Sequence, residues 1–139
     1  MGIIAPLSIW IRLRVCSLFW SSTTSMEVGI AAITLACGAQ LARAESLFAR
    51  FPAAYAHLAS VAPEAVWACV MLMLGSAMAT SMFFGTRAIR RSVLMGMVVL
   101  WWGMAGLFIA AVPGAMISGI SSVVAVGCTW AFARHGLSP

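Results

Sequence analysis

Three long stretches without charged side chains dominate this chain and limit what it can fold into. They cover residues 63–86, 92–112 and 115–133, and Glu64 at the start of the first is the exception. Helices of 19 to 24 residues are about 29–36 Å long, which is close to the thickness of the hydrocarbon core of a bilayer. A fourth stretch, residues 26–42, is nearly as long. The sequence therefore predicts four membrane-spanning helices.

The composition supports a lipid environment for most of the chain. Hydrophobic residues make up 63% of its 139 residues and charged residues 8%, compared with roughly 25% charged residues in a soluble domain. This length allows one domain and leaves no room for a separate soluble module. The sequence therefore predicts an all-α integral membrane protein, folded as a four-helix bundle, with the lipid bilayer as its main partner.

The basic residues favour contact with lipid over contact with nucleic acid. All eight are arginines, and they give the chain a formal net charge of +5. They lie at the ends of apolar segments and not in one patch, which is typical of side chains that contact anionic headgroups and set the topology. We therefore predict no nucleic-acid partner.

The residue types that are missing argue against an enzyme. The chain has no lysine, no aspartate and only two histidines, which leaves little for a phosphate-loop lysine, a Schiff base or a catalytic triad. The four cysteines lack the spacing of metal ligands, and three of them lie inside apolar stretches, where a thiol acts as a small hydrophobe. We predict no catalytic residues, no cofactor and no metal site.

The first 24 residues form a segment distinct from the four-helix region, residues 25–139. Apolar side chains recur at helical spacing, and Arg12 and Arg14 interrupt them. A secretory signal carries its basic residues before the apolar core, so an amphipathic helix on the membrane surface fits better, with Trp10 and Trp20 at the headgroups. Cleavage after the polar run of residues 21–25 is the alternative.

The start of the first long helix has two interpretations. Thr24 and Glu27 have the spacing of a capping box, which predicts a helix over residues 25–42. The alternative is one helix over residues 15–42, with Glu27 near its middle. We favour the capped helix because the five hydroxyl residues at 21–25 compete with helical hydrogen bonding.

Residues 43–62 are too polar to span a bilayer and predict a short interfacial helix. Pro52 caps or kinks this helix. Pro63 followed by Glu64 is typical of a helix start and begins the second long helix, residues 63–86. The apolar side chains of the interfacial helix follow helical spacing: Leu47, Phe51, Tyr55 and Leu58.

The third and fourth long helices are predicted over residues 92–112 and 115–133. An arginine-bearing hairpin over residues 85–91 precedes the third helix, Pro113-Gly114 turns the chain between the two, and Arg134-His135 closes the fourth. Two arginines, Arg43 and Arg50, lie on one side of the bilayer. Six lie on the other, which predicts by the positive-inside rule that both termini are cytoplasmic; they are Arg12, Arg14, Arg87, Arg90, Arg91 and Arg134.

The acidic residues are the candidates for chemistry or ion pairing. Glu27 is interpreted as a helix cap at the membrane interface, neutralised by Arg87, Arg90 or Arg91; the alternative is an intramembrane proton or cation site. Glu64 is interpreted as a partner of the helix dipole in a first turn, with Arg43 or Arg50 as a further partner.

Pairs of small residues four positions apart predict close approach of helices in lipid. Packing within one bundle is the favoured use, and a face left over would build an oligomer or bind another membrane protein. The pairs are Gly75 with Ala79, Ser76 with Thr80, Gly106 with Ala110, Gly114 with Ser118, and Ser118 with Ser122.

About three quarters of the chain, from Glu27 to Trp130, carries a series of short motifs. They are Glu27-Val28-Gly29, Phe51-Pro52, Tyr55 with Leu58, Ala62-Pro63-Glu64, Trp67, the arginines of residues 87–91, Trp101-Trp102, Pro113 and Trp130. In these features the chain resembles small four-helix membrane proteins of tailed phages and prophages, many of them described as holins or as proteins of unknown function. The resemblance implies a multi-pass protein of the bacterial inner membrane without catalytic residues.

Three functions follow from this resemblance and from the residues. The favoured one is a holin-like pore former, whose copies associate in the membrane and open a lesion that releases a lytic enzyme. The second is a non-lytic interaction protein, such as a superinfection-exclusion factor or an accessory subunit. The third is a small proton-coupled exporter, since Glu27 in the first of four helices is similar to the small multidrug-resistance transporters; the polar residues 21–25 before Glu27 rank it last.

Overall fold

The described residues fall into six helices. The computed structural model describes residues 22–43, 46–112 and 116–137, of which 92% are helical and none lies in a strand. In chain order the helices are α1 (Ser22–Leu41), α2 (Leu47–Arg50), α3 (Pro52–Val61), α4 (Glu64–Phe84), α5 (Arg87–Ala111) and α6 (Met116–Leu137).

Four of these helices, α1, α4, α5 and α6, are long and apolar enough to cross a membrane, judged by length and composition. The most extensive contacts are those of α1 with α4 and of α5 with α6, and contacts of α4 with α5 and of α1 with α6 close the ring. Long helices that follow one another in the chain therefore lie side by side. The predicted all-α class with four long apolar helices is confirmed.

The bundle has two distinct ends. The start of α1, the start of α5 and the end of α6 meet at one of them, which we call the arginine end after Arg87, Arg90, Arg91 and Arg134. Helices α2 and α3 lie at the other, the cap end, where α3 packs against α5. The long helices thus alternate in direction along the chain.

Aromatic side chains fix α3 against the cap end. The ring of Tyr55 lies edge-on to Phe108 of α5, with 5.6 Å between centroids, and stacks at 5.0 Å on Phe48 of α2. The indole of Trp67 in α4 donates to the Leu58 carbonyl oxygen at 3.1 Å. Burial raises the pKa of the Tyr55 hydroxyl, so this side chain stays neutral at physiological pH.

The segment predicted as one interfacial helix forms two short helices. Ser46 caps α2 by accepting a hydrogen bond from the Ala49 amide at 3.2 Å. Pro52 is the first residue of α3, where its missing N–H is no loss, and it cannot continue α2 because it has no amide to donate. The break at Phe51 follows from this proline.

The capping box predicted at Thr24 is wrong. Helix α1 as described already includes Ser22, so Thr24 and Ser25 lie within it and Glu27 is beyond the first turn. Local competition from hydroxyl side chains is a weak preference, and the tertiary contacts of α1 outweigh it. The amphipathic segment was predicted over the first 24 residues. Its first 21 residues lie outside the described part of the chain, and its last three belong to α1.

The predicted arginine hairpin is also wrong. Helix α5 begins at Arg87 and not at residue 92, so its three arginines are helical, and the connection from α4 is only Gly85 and Thr86. Thr86 is the N-cap and accepts from the Ile89 amide at 3.4 Å. The helix was predicted to start at residue 92 because the uncharged stretch begins there. Arginine is a good helix former, however, so the helix extends beyond that stretch. A Cβ at Gly85 would lie 2.4 Å from the Ser81 carbonyl oxygen, which explains the glycine in this short connection.

The last helix extends further than predicted. Helix α6 continues past Ala133 through Arg134 and His135 to Leu137. Its predicted start and the Pro113-Gly114 turn lie outside the described residues. At the other boundaries, α4 begins at Glu64 with Pro63 as its N-cap and ends at Phe84.

Candidate functional site

A carboxylate lies fully buried inside the arginine end of the bundle. Glu27 of α1 has 0% of its side chain exposed. Its Oε2 accepts a hydrogen bond from Nη2 of Arg90 on α5, and its Oε1 lies 2.5 Å from Nε2 of His135 on α6. We call these three side chains the buried ion cluster. One carboxylate thereby joins three of the four long helices.

The cluster forms where the inner faces of three helices meet. Each of its residues lies at the arginine end of the inward face of its helix. Glu27 continues the buried positions Ile30, Ala31 and Thr34, Arg90 continues Leu94, Met97 and Trp101, and His135 continues Ala131, Cys128 and Val124. These spacings of three, four and seven residues are the inward face of an α-helix.

The charges of the cluster complement one another. A carboxylate in an apolar interior is strongly unfavourable unless it is paired and hydrogen-bonded, and here both oxygens have a partner. Arg90 and His135 keep 21% and 16% of their side chains exposed, so they reach from the surface inward while Glu27 has no contact with solvent. Nε2 of His135 must carry a hydrogen to donate to an ionised Glu27.

One donor of the cluster has no partner among the described residues. Nε of Arg90 is buried there without a hydrogen bond. Glu27 therefore does not accept from every donor of the guanidinium, and the pair has fewer hydrogen bonds than an ideal bidentate arginine–carboxylate contact. The arrangement is suited to holding helices together by ion pairing.

A second buried polar contact lies deeper in the bundle. The Trp101 indole of α5 donates to Oγ1 of Thr34 at 3.1 Å, and Thr34 in turn donates to the Ile30 carbonyl oxygen at 2.8 Å. Thr34 lies two helical turns from Glu27 on the same face of α1. Sequence reasoning missed this pair, and the seven-residue spacing of two polar residues in an apolar helix was the signal for it.

Of the three arginines predicted to neutralise Glu27, one contacts it in the described part of the structure. Arg90 binds Glu27, whereas Arg87 and Arg91 line a groove between α5 and α6. Arg87 and Arg91 are four residues apart and share a face of α5, whereas the neighbouring Arg90 and Arg91 project about 100° apart around the helix axis, and Arg90 is the one that faces the core. The sequence predicted that His135 closes the fourth long helix. It is in the last turn, but its described contact is with Glu27.

Glu64 lies at the opposite end of the bundle. It is in the first turn of α4, and its carboxylate also accepts hydrogen bonds from the start of α2. The donors are the Ser46 hydroxyl at 2.5 Å and the amides of Leu47 at 2.8 Å and Phe48 at 3.4 Å. A negative charge is favourable at both helix starts, so Glu64 ties the cap end to α4.

The small-residue pairs divide between the interior and the surface. Gly75 is buried, and a Cβ there would lie 2.7 Å from Cγ of Leu35 on α1; Ala79 is half-buried. Gly106 and Ala110 are exposed, Ser118 is buried, and Gly114 lies outside the described residues. Sequence reasoning missed Gly38, where a Cβ would lie 3.0 Å from Cβ of Met71 on α4.

The described residues contain no group of three or more His, Cys, Asp or Glu side chains able to hold a metal ion. No known protein family, curated protein or solved structure matches this chain. A functional proposal therefore depends on the residues and their arrangement.

Proposed function

We propose that the chain is a holin-like membrane protein of the bacterial inner membrane, whose four long helices span the bilayer and whose copies associate to open a pore. The observation that carries the proposal is the outward surface of the bundle. Large apolar side chains cover it along all four long helices, among them Ile33, Val66, Met73, Val99, Trp102, Ile109, Val123 and Val126. A soluble monomer rarely exposes so continuous an apolar surface.

The distribution of arginines supports an orientation. Among the described residues, the arginine end carries Arg87, Arg90, Arg91 and Arg134, and the other end carries Arg43 and Arg50. By the positive-inside rule the arginine end faces the cytoplasm. The start of α1 and the end of α6, as described, lie at the arginine end, so this orientation puts both of them on the cytoplasmic side.

The surface of α5 supports association between copies. Gly103, Gly106 and Ala110 lie on one outward face of this helix, and a Cβ added at either glycine meets nothing within 4 Å. The face is therefore open, and small residues at such spacing let two helices approach closely in lipid. Since the interior uses Gly38 and Gly75 instead, this face is available to a second copy.

The buried ion cluster favours the pore former over the exporter. A carboxylate that carries protons across a membrane has to exchange them with both sides. Glu27 has no exposed surface and contacts Arg90 and His135, which is the environment of an ion pair that holds helices together. A substitution of Glu27 by glutamine that abolished cation-coupled efflux would reverse this ranking.

Expression of the full chain tests the pore. We expect that induction in a bacterial host collapses the membrane potential and stops growth, because assembled copies open a path for ions. Potential-sensitive dye uptake measures the collapse, and the amount of chain retained in alkali-washed membranes shows that insertion has occurred. Harmless accumulation at a high membrane level would contradict the pore and favour the non-lytic interaction protein.

Replacement of Gly106 by leucine tests the proposed association face. The larger side chain keeps two copies of α5 apart, and we expect association about tenfold weaker, since overpacking a close contact costs about 1–3 kcal/mol. Chemical crosslinking in membranes measures the oligomer, and dye uptake measures the delay in depolarisation.

The matched control for this variant is Gly119→Leu on α6, another position where a Cβ meets nothing within 4 Å. The proposal expects oligomer and depolarisation close to those of the unchanged chain for this control. Equal losses in both variants, or none in either, would show that the α5 face does not mediate association.

A further inference from the structure

A groove at the arginine end combines positive charge with an apolar floor. It lies between the start of α5 and the end of α6 and has a volume of about 440 Å³. The residues that matter for its chemistry are Arg87, Arg91, Ser92 and Met95 of α5 and Phe132 and His135 of α6.

The polarity of the groove changes along its length. On α5 the lining runs from Arg87 to Met95, eight residues or about 12 Å along the helix axis, and so from guanidinium to thioether. On α6 it runs from His135 to Phe132. Both helices therefore present cationic or polar groups at the end of the bundle and apolar groups one to two turns deeper.

Arg91 connects the two parts of the groove. Its guanidinium carbon lies 5.1 Å from the centroid of the Phe132 ring, which is within the range of a cation–π contact. This contact holds the positive charge over the apolar floor. Arg90, by contrast, turns inward to Glu27, so of these two neighbouring arginines Arg91 is the one that lines the groove.

We propose that this groove binds the phosphate headgroup of an anionic phospholipid, with an acyl chain along Met95 and Phe132. The arginines and the Ser92 hydroxyl match the phosphate oxygens, and the apolar end matches the hydrocarbon that is attached to them. A free phosphate has no hydrocarbon to contact the apolar end of the groove. A zwitterionic lipid carries a cation beside its phosphate, and this cation is repelled by the arginines. Basic grooves between spanning helices on the cytoplasmic side are suited to such headgroups.

The proposal rests on the membrane location and not on the pore. The test uses the full chain purified in an uncharged detergent, with retained lipid measured by native mass spectrometry. Phosphatidylglycerol, phosphatidylcholine and soluble glycerol phosphate are added separately at equal concentration. We expect phosphatidylglycerol to be retained at least fivefold more than phosphatidylcholine, and glycerol phosphate not to be retained.

Substitutions locate the site. An arginine next to an anionic membrane surface contributes about a fivefold gain in affinity, so Arg91→Gln should lower retention of phosphatidylglycerol about fivefold and Arg87→Gln with Arg91→Gln about 25-fold. Arg43→Gln with Arg50→Gln removes the same charge from the cap end and should leave retention unchanged. Arg134→Gln removes one charge from the arginine end itself. It should also leave retention unchanged, since Arg134 lies over Trp130 at 5.0 Å and outside the groove lining.

The outcomes separate the lipid site from the function proposed above. Equal retention of both lipids, strong binding of glycerol phosphate, or equal effects of the groove and control substitutions would overturn the lipid site. Because Arg91→Gln is a single exposed substitution, it reports on the groove even where the double variant does not fold. A chain that stays in solution without detergent would overturn the membrane location itself.

Discussion

Substitution of Arg90 by methionine is expected to destabilise the bundle by about 3–5 kcal/mol, the range found when one partner of a buried ion pair is removed. Glu27 is fully buried and relies on Arg90 for its full positive charge. Without Arg90, His135 is the one described partner left to the buried carboxylate, whose charge then loses its main compensation. Unfolding in mixed micelles with increasing sodium dodecyl sulfate measures the free energy of unfolding.

The two partners should respond unequally to substitution. Glu27→Leu leaves Arg90, whose side chain is 21% exposed and reaches solvent by a small rotation. Glu27→Leu should therefore destabilise the bundle less than Arg90→Met does. The double variant Glu27→Leu, Arg90→Met leaves no buried charge and should recover most of the loss, because well-packed apolar side chains often replace a buried ion pair at little cost.

Arg91→Met is the matched control for this series. It removes the same charge one residue further along α5, from an exposed side chain whose contact with Phe132 contributes about 1 kcal/mol or less. A loss for Arg90→Met no larger than that for Arg91→Met would show that the buried ion cluster does not stabilise the bundle. The alternative interpretation of Glu27, an intramembrane proton or cation site, would then be favoured.

The architecture was largely predictable because lipid imposes a simple rule on sequence. A helix that crosses a bilayer needs about 20 apolar residues, and the three uncharged stretches together with the apolar residues 26–42 located all four long helices. The same rule placed the helix ends wrongly, because it ends each helix at the first charged residue. Arg87, Arg90 and Arg91 fall outside the uncharged stretch and inside α5, because arginine is a good helix former and extends a helix without breaking it.

The cluster was predictable only in part. An acid near one end of α1 and three arginines on the same side of the bilayer suggested a pairing, and Arg90 was among the named partners. The choice among those arginines depends on the rotation of α5, which the apolar residues around it do not reveal. His135 is 108 residues from Glu27 in the chain, and nothing local indicates that α6 is long enough to bring it to α1.

The rotation of helices also decides which small residues are inside. Gly75 and Gly106 have the same spacing to a small partner, yet Gly75 is buried against α1 and Gly106 is exposed. In a helix that is apolar on every side, the hydrophobic pattern does not distinguish the face that contacts protein from the face that contacts lipid. Only the arrangement of α1 against α4 resolves it.

Gly38→Leu should therefore destabilise the bundle by about 3 kcal/mol, at the upper end of what overpacking of a core costs. A Cβ at Gly38 would lie 3.0 Å from Cβ of Met71 and 3.1 Å from the Leu72 amide nitrogen. The backbones of α1 and α4 approach closely here, so the new side chain has to push the two helices apart. Unfolding in mixed micelles measures the loss, as for Arg90→Met.

Gly119→Leu provides the contrast, because a Cβ at that position of α6 meets nothing within 4 Å and leucine is the better helix former. It should leave the free energy of unfolding unchanged or raise it by up to about 1 kcal/mol. Gly75→Leu should follow Gly38→Leu, with Leu35 as the side chain that is displaced. If Gly38→Leu and Gly119→Leu gave the same result, α1 and α4 would not be in close contact. The inward face of α1 that carries Glu27 would then be assigned incorrectly.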